Sequence, residues 1–354
     1  MMGAMNRAWL LFLLLAGCAS VGPPTVVRDR FDYVAAISES WKRQTLLNLL
    51  KVRYADAPVF MDVTSVIAAY STQMDVSAGA QVAPVGRAGD TFGAIGAAGQ
   101  FTDKPTISYQ PLSGDKFARS LMAPIPVSAI LALIQAGYPA DQVLRLCVNS
   151  VNGLDNSYSG SGNPRAGDPK FRELMAALRE SQATGAPGFR TRDAKDAHSV
   201  VMFFSAAADP ADPGVRKIRD LLRLAPGRSE YRVAYGSFPE PEADIAILTR
   251  SLLQVMIDLS GQLEVPAADI AEGRVSAVQR SAEELRLFPP LLAVHHGEKA
   301  PEDAHVAVKF RGRWFWIDDR DAQSKHNLMF LMMAFSLTEG TPAQAAPVVT
   351  IPAR

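Results

Sequence analysis

The chain is poor in the residues that cross-link small secreted folds and in those that most often carry catalysis. Its 354 residues include two cysteines and five histidines. Cys18 and Cys147 allow one disulfide at most, so no disulfide framework specifies the fold. There is no His-Glu-x-x-His or Cys-x-x-Cys spacing, which removes the common zinc signatures. A Gly-x-Ser-x-Gly elbow is also missing, and with it the usual mark of a serine hydrolase. Gly93-Ala94-Ile95-Gly96 lacks the lysine and following helix that would make it a phosphate-binding turn. Charge of one sign is not in excess, with 36 basic and 36 acidic residues. Without a basic stripe, nucleic acid is excluded as a partner. No run of eighteen apolar residues occurs that could cross a bilayer as a helix.

What is present begins at the N-terminus. Arg7 precedes the apolar run Trp9–Ala16, and small residues stand directly before Cys18. About eight apolar residues fall short of the roughly twenty that span a bilayer, so the run reads as a signal peptide. The flank Ala19-Ser20-Val21-Gly22-Pro23-Pro24-Thr25 reads as a tether. Leu15-Ala16-Gly17-Cys18 resembles the lipobox of bacterial lipoproteins. That resemblance implies removal of residues 1–17, a diacylated Cys18 thiol and an acyl chain such as palmitate on the new amino group. Each buried methylene contributes ~0.8 kcal/mol, so more than one chain anchors stably. Ala19 in place of Asp implies the inner, periplasmic leaflet of the outer membrane. Met1, Met2 and Met5 all offer starts, and Met5 gives the most compact signal. A lipidated Cys18 leaves Cys147 unpaired, and its setting in Val143–Val148 predicts a small buried core thiol.

Composition, with 48% hydrophobic and 20% charged residues, is that of a globular protein. The expected organisation is a signal peptide at 1–17, a lipidated tether at 18–30 and a globular α+β domain at 31–354, with 157–168 the one candidate boundary between lobes. Apolar periodicity predicts helices at 31–54, 115–121, 127–136, 169–181, 214–224, 239–259 and 324–337. Strands are expected at 59–70, 199–205, 231–237, 285–296, 305–310, 314–318 and 348–351. Residues 141–146 fit helix or strand equally. Period-two alternation on both sides of Pro84–Asp90 predicts one long Gly/Ala-rich β-hairpin over 73–101. The sum is an α+β fold with a largely antiparallel sheet and packed helices.

The densest chemistry is Lys309–Asp321. Alternation places Trp314 and Trp316 on one sheet face and Phe315 and Ile317 on the other. Arg313, Trp314, Trp316, Asp318, Asp319 and Arg320 form the candidate functional surface. Asp321 or Ser324 is expected to cap the following helix, and the charges to pair around that corner. His295, His296, His305 and His326 are the one histidine grouping. Adjacent His295 and His296 would point to opposite faces, so a metal site is not expected, nor are a cofactor site or a catalytic residue.

Trp41–Tyr54 running into Pro58-Val59-Phe60, Asn152-Gly153-Leu154, and Arg311–Asp321 with Ser324-Lys325 and the helix to Glu339 together resemble an uncharacterised family of Gram-negative lipoproteins. The resemblance implies the tether and a single-unit fold, and it carries no activity. The expected role is non-enzymatic: binding, scaffolding or assembly with an envelope protein or cell-wall component, anchored in the bilayer through Cys18. The alternatives are an oligomeric export channel built from the 73–101 hairpin, and a periplasmic hydrolase using Asp318, Asp319 or the histidines.

Overall fold

Prolines and short polar side chains set where the helices begin. The computed structural model describes residues 23–67, 70–80, 93–103, 106–112, 115–160, 164–185, 187–194, 197–204, 212–240 and 244–338. They divide into two compact units: residues up to 39 with 61–111, and residues 40–60 with those from 112 onward. Residues 157–168 fall within the second unit. Cys18 and the strand expected at 348–351 lie outside the described residues.

Helix α1 (Pro23–Arg53) contributes residues to both units. It begins earlier than expected because Pro23 and Pro24, read as tether, sit in its first turn, where proline costs no hydrogen bond. In the first unit, β1 (Phe60–Ile67) pairs with β4 (Thr106–Leu112). Strands β2 (Tyr70–Ala80) and β3 (Gly93–Asp103) pair antiparallel, from Tyr70 opposite Asp103 to Ala80 opposite Gly93. The expected turn between them lies outside the described residues.

The second unit continues with α2 (Asp115–Met122), α3 (Val127–Gln135), α4 (Ala140–Cys147), β5 (Val148–Val151), β6 (Leu154–Asp155) and α5 (Pro169–Ala183). Next come β7 (Pro187–Ala194), β8 (Ala197–Phe204), α6 (Pro213–Leu222), β9 (Glu230–Tyr235), β10 (Ile245–Thr249) and α7 (Leu252–Gly261). The described chain ends with α8 (Ala267–Ala271), α9 (Ala282–Leu287), β11 (His295–Gly297), β12 (Ala304–Phe310), β13 (Arg313–Asp318) and α10 (Ala322–Thr338). The order β6-β5-β10-β9-β8-β7 makes one sheet, antiparallel except for the β9–β10 pair, and β11-β13-β12 makes another. The class is α+β. Asp168 caps α5 by accepting from the Lys170 amide, Asp212 caps α6, and Ser251 with Gln254 closes a capping box on α7.

Two expectations are corrected. The helix expected over 239–259 is interrupted by β10, a central strand whose Ile245, Ala246 and Ile247 are all buried. A strand covered on both faces shows no alternation, so periodicity cannot separate it from helix. The strand expected over 285–296 is mostly otherwise: Ser281 caps the short α9, Pro289-Pro290 follow it, and pairing begins only at His295.

Between β10 and α7 lies the most completely buried cation among the described residues. Arg250 is 0% exposed. Its Nη1 donates to Asp258 Oδ2 at 2.8 Å and to the carbonyls of Arg145 and Leu146, both at 3.3 Å. Its Nε reaches Asn149 Oδ1 at 3.1 Å, and Nη2 the Ser157 carbonyl at 2.6 Å. Asp258 Oδ1 accepts from the Ser159 amide at 2.6 Å. The pair thereby fastens α4, β5 and the start of the 157–168 segment to α7. Gly261 permits this closeness, since a Cβ there would stand 1.7 Å from the Ser159 carbonyl oxygen. Asp258→Ala strands the Arg250 charge, and denaturant titration should show a loss of about 3–5 kcal/mol. An unchanged unfolding midpoint would contradict this reading.

Candidate functional site

The β12–β13 hairpin turns through Arg311 and Gly312, both left-handed, with φ of 49° and 83°. Type I′ geometry of this kind matches the twist of the paired strands. Phe315 and Ile317 are buried, while Trp314 and Trp316 are half-buried on the opposite face, as their alternation predicts. Strand β11 sets His295 opposite Trp316, His296 opposite Phe315 and Gly297 opposite Trp314. The Trp316 ring passes close to Gly297, where a Cβ would be 3.2 Å from it. Lys309 of β12 faces Trp314. The tryptophans, His295 and Lys309 therefore share one partly open face.

The carboxylates at the end of this hairpin serve structural partners. Asp318 Oδ1 accepts from the Arg320 amide at 2.8 Å, and Arg320 Nη2 reaches Asp303 at 2.6 Å. Lys325 Nζ donates to Asp319 Oδ1 at 2.8 Å and holds that exposed carboxyl below the usual range. Asp321 is the cap of α10, accepting from the Ser324 amide at 3.0 Å. Arg313 is exposed at the hairpin's start.

The histidines do not converge. His295 Nδ1 lies 3.2 Å from Glu264, His305 Nδ1 lies 3.4 Å from Asp319, and His326 Nδ1 lies 2.7 Å from the Ala322 carbonyl. His296 Nδ1 is buried with no hydrogen-bond partner. Among the described residues no three His, Cys, Asp or Glu side chains gather as a metal site would require. Cys147 is fully buried, and burial pushes its thiol up to about 12, far from nucleophilic readiness.

Sequence reasoning missed a cavity of about 410 Å³, lined among others by Arg53, Gln262, Glu264, Arg280 and His296. Arg53 closes α1 on the same stripe as Leu46 and Leu49, seven and four residues earlier, and all three are buried. An arginine on an apolar helical face was the available signal. Its Nη2 donates to the Ser276 carbonyl at 2.8 Å, whereas Nε and Nη1 are buried without a partner. Burial lowers its pKa. A larger cavity of about 750 Å³ adjoins the Asn152-Gly153 turn. There Asn152 ties the Leu222 carbonyl at 2.9 Å and the Ala246 amide at 2.7 Å, Asp168 caps α5, and Asp244 pairs with Arg228.

Burial, reinforced by the Lys42 and Lys325 charges, keeps His305 below its ordinary value of 6.5 despite the opposing pull of Asp319. The unfolded chain therefore binds this proton first on acidification, and His305's stabilising contribution, full above 6.5, is lost as pH falls through the lower native value. His305→Gln should flatten the stability profile below about pH 6.5 in urea titrations; an unaltered slope would contradict the assignment. Compared with family models, curated proteins and solved structures, the chain matches none.

Proposed function

We propose that the chain is an acylated envelope lipoprotein that binds another envelope component without transforming it. The observation that carries the reading is Leu15-Ala16-Gly17-Cys18 behind a short apolar run. In this reading Cys18 holds the acyl chains, and Ala19 directs the protein to the periplasmic leaflet of the outer membrane. The resemblance to Gram-negative lipoproteins points the same way.

The binding half of the proposal is supported by the face bearing Trp314 and Trp316. Half-buried indoles present a large apolar area with little side-chain entropy to lose, and each retains an N–H for a partner. Asp318, Asp319 and Asp321, the acids that follow Trp316 in the chain, are engaged with a neighbouring amide, a lysine and a helix start. Such engagement favours a docking surface over acid–base chemistry. A photo-crosslinking residue at position 316 in living cells should trap one envelope component of defined mass, and a second probe at 314 should trap the same one. Turnover of an envelope ester, peptide or glycan by the purified protein would overturn the reading.

One observation favours a second reading. Strands β2 and β3 each have 11 residues and pair along their whole length, and a membrane-crossing strand needs about 9–11. An assembly whose copies each contribute this pair to a barrel is the corresponding proposal. It expects a ring-sized mass for the detergent-solubilised protein, and a strict monomer would remove it.

A further inference from the structure

We propose that the cavity beside Arg53 binds a small oxyanion, a carboxylate or a phosphate group. The argument is one of charge and hydrogen-bond supply, and it does not depend on lipid anchoring. Two arginines line the cavity. Arg280 is neutralised: its Nε stands 3.2 Å from Glu284, and its Nη2 donates to the Phe288 carbonyl at 2.5 Å. The acid on the cavity wall, Glu264, lies against His295 at 3.2 Å. Arg53, only 4% exposed, has no carboxylate in ion-pair reach among the described residues.

The end of α1 supplies a partial compensation. Carbonyls in a helix's last turn carry roughly half a negative charge in sum. Three of them, at Leu50, Lys51 and Val52, are already taken by the amides of Tyr54, Asp56 and Ala55. The nearest phenol does not help, because Tyr54 donates its hydroxyl to Asp269 Oδ2 at 2.5 Å and burial keeps it protonated. A buried guanidinium with one carbonyl and a helix end for company is a poor arrangement by itself. It is a good one for an incoming anion, because a guanidinium presents its donors in a fork that matches carboxylate and phosphate.

A second orphan lines the same cavity. His296 Nδ1 is buried and unpaired, and in the Nδ1–H tautomer it adds one more donor. Arg53 and His296 thus line one space of about 410 Å³ and between them carry three buried nitrogens without partners, Arg53 Nε, Arg53 Nη1 and His296 Nδ1. That volume suits a small ligand. Neutral apolar molecules would leave all three unsatisfied, so an acceptor-rich anion is the class that fits.

The test uses the full chain in detergent, titrated with sodium phosphate and separately with sodium acetate, ionic strength held constant with chloride. Thermal unfolding and calorimetry should show saturable binding of at least one anion, and which one responds identifies the group. Arg53→Met should weaken that binding at least tenfold while unfolding no earlier than the parent in chloride. His296→Phe, which removes a single donor, should weaken it less. If Arg53→Met fails to fold, the parent titration together with His296→Phe still decides the matter. Absence of saturable binding in the parent would overturn the proposal. So would equal binding by parent and Arg53→Met, or by parent and His296→Phe where Arg53→Met is lost.

Discussion

The buried ion pair of Arg250 and Asp258 is the constraint on which the path of the larger unit depends. Removing two charges from water is unfavourable, and their attraction offsets that only when the remaining donors and acceptors are filled. Here they are filled largely by backbone: the carbonyls of Arg145, Leu146 and Ser157 and the amide of Ser159. Because the partners are main-chain groups, the pair determines where α4 ends, how β5 starts and where the following loop lies. Asn156 extends the same arrangement through the Arg145 and Val148 carbonyls, each at 2.8 Å. A segment whose Gly, Ser and Pro content suggests slack is held fast at its beginning.

The β11–β13 sheet applies a different principle, the alternation of side chains. One face gives Phe315 and Ile317 to the core and the other leaves Trp314 and Trp316 half open. The charged residues that follow stabilise the corner and the start of α10. Binding is the more economical account of such a face, since its aromatic area is available and its carboxylates are engaged. Arg53 and His296, which carry the unpaired nitrogens beside the cavity, belong to it and not to this open face, so a surface contact and a small-anion site can coexist on one unit.

Legibility followed the physics of each element. Helices with one apolar stripe and a capped start, such as α5 behind Asp168 and Pro169, could be read directly. So could the aromatic alternation of β13. Strand β10 was hidden because burial on both faces erases alternation, and α9 because six residues are too few for a period to register. Along β13 the sequence also foretold which side chains turn inward and that the following acids are engaged in capping and ion pairs. The Arg53 cavity was not legible, since its walls come from α1, α7, α8, α9 and β11, which only folding brings together. Arg250 was equally silent: an arginine between strand and helix gives no sign that its guanidinium is enclosed.

The central claim joins this fold to a membrane through one thiol, and intact-mass measurement of the protein purified from membranes tests it most directly. The account predicts a chain beginning at Cys18 and heavier than its residues by a diacylglycerol and one acyl chain. A chain that retains residues 1–17, or one whose Cys18 is unmodified, would contradict it.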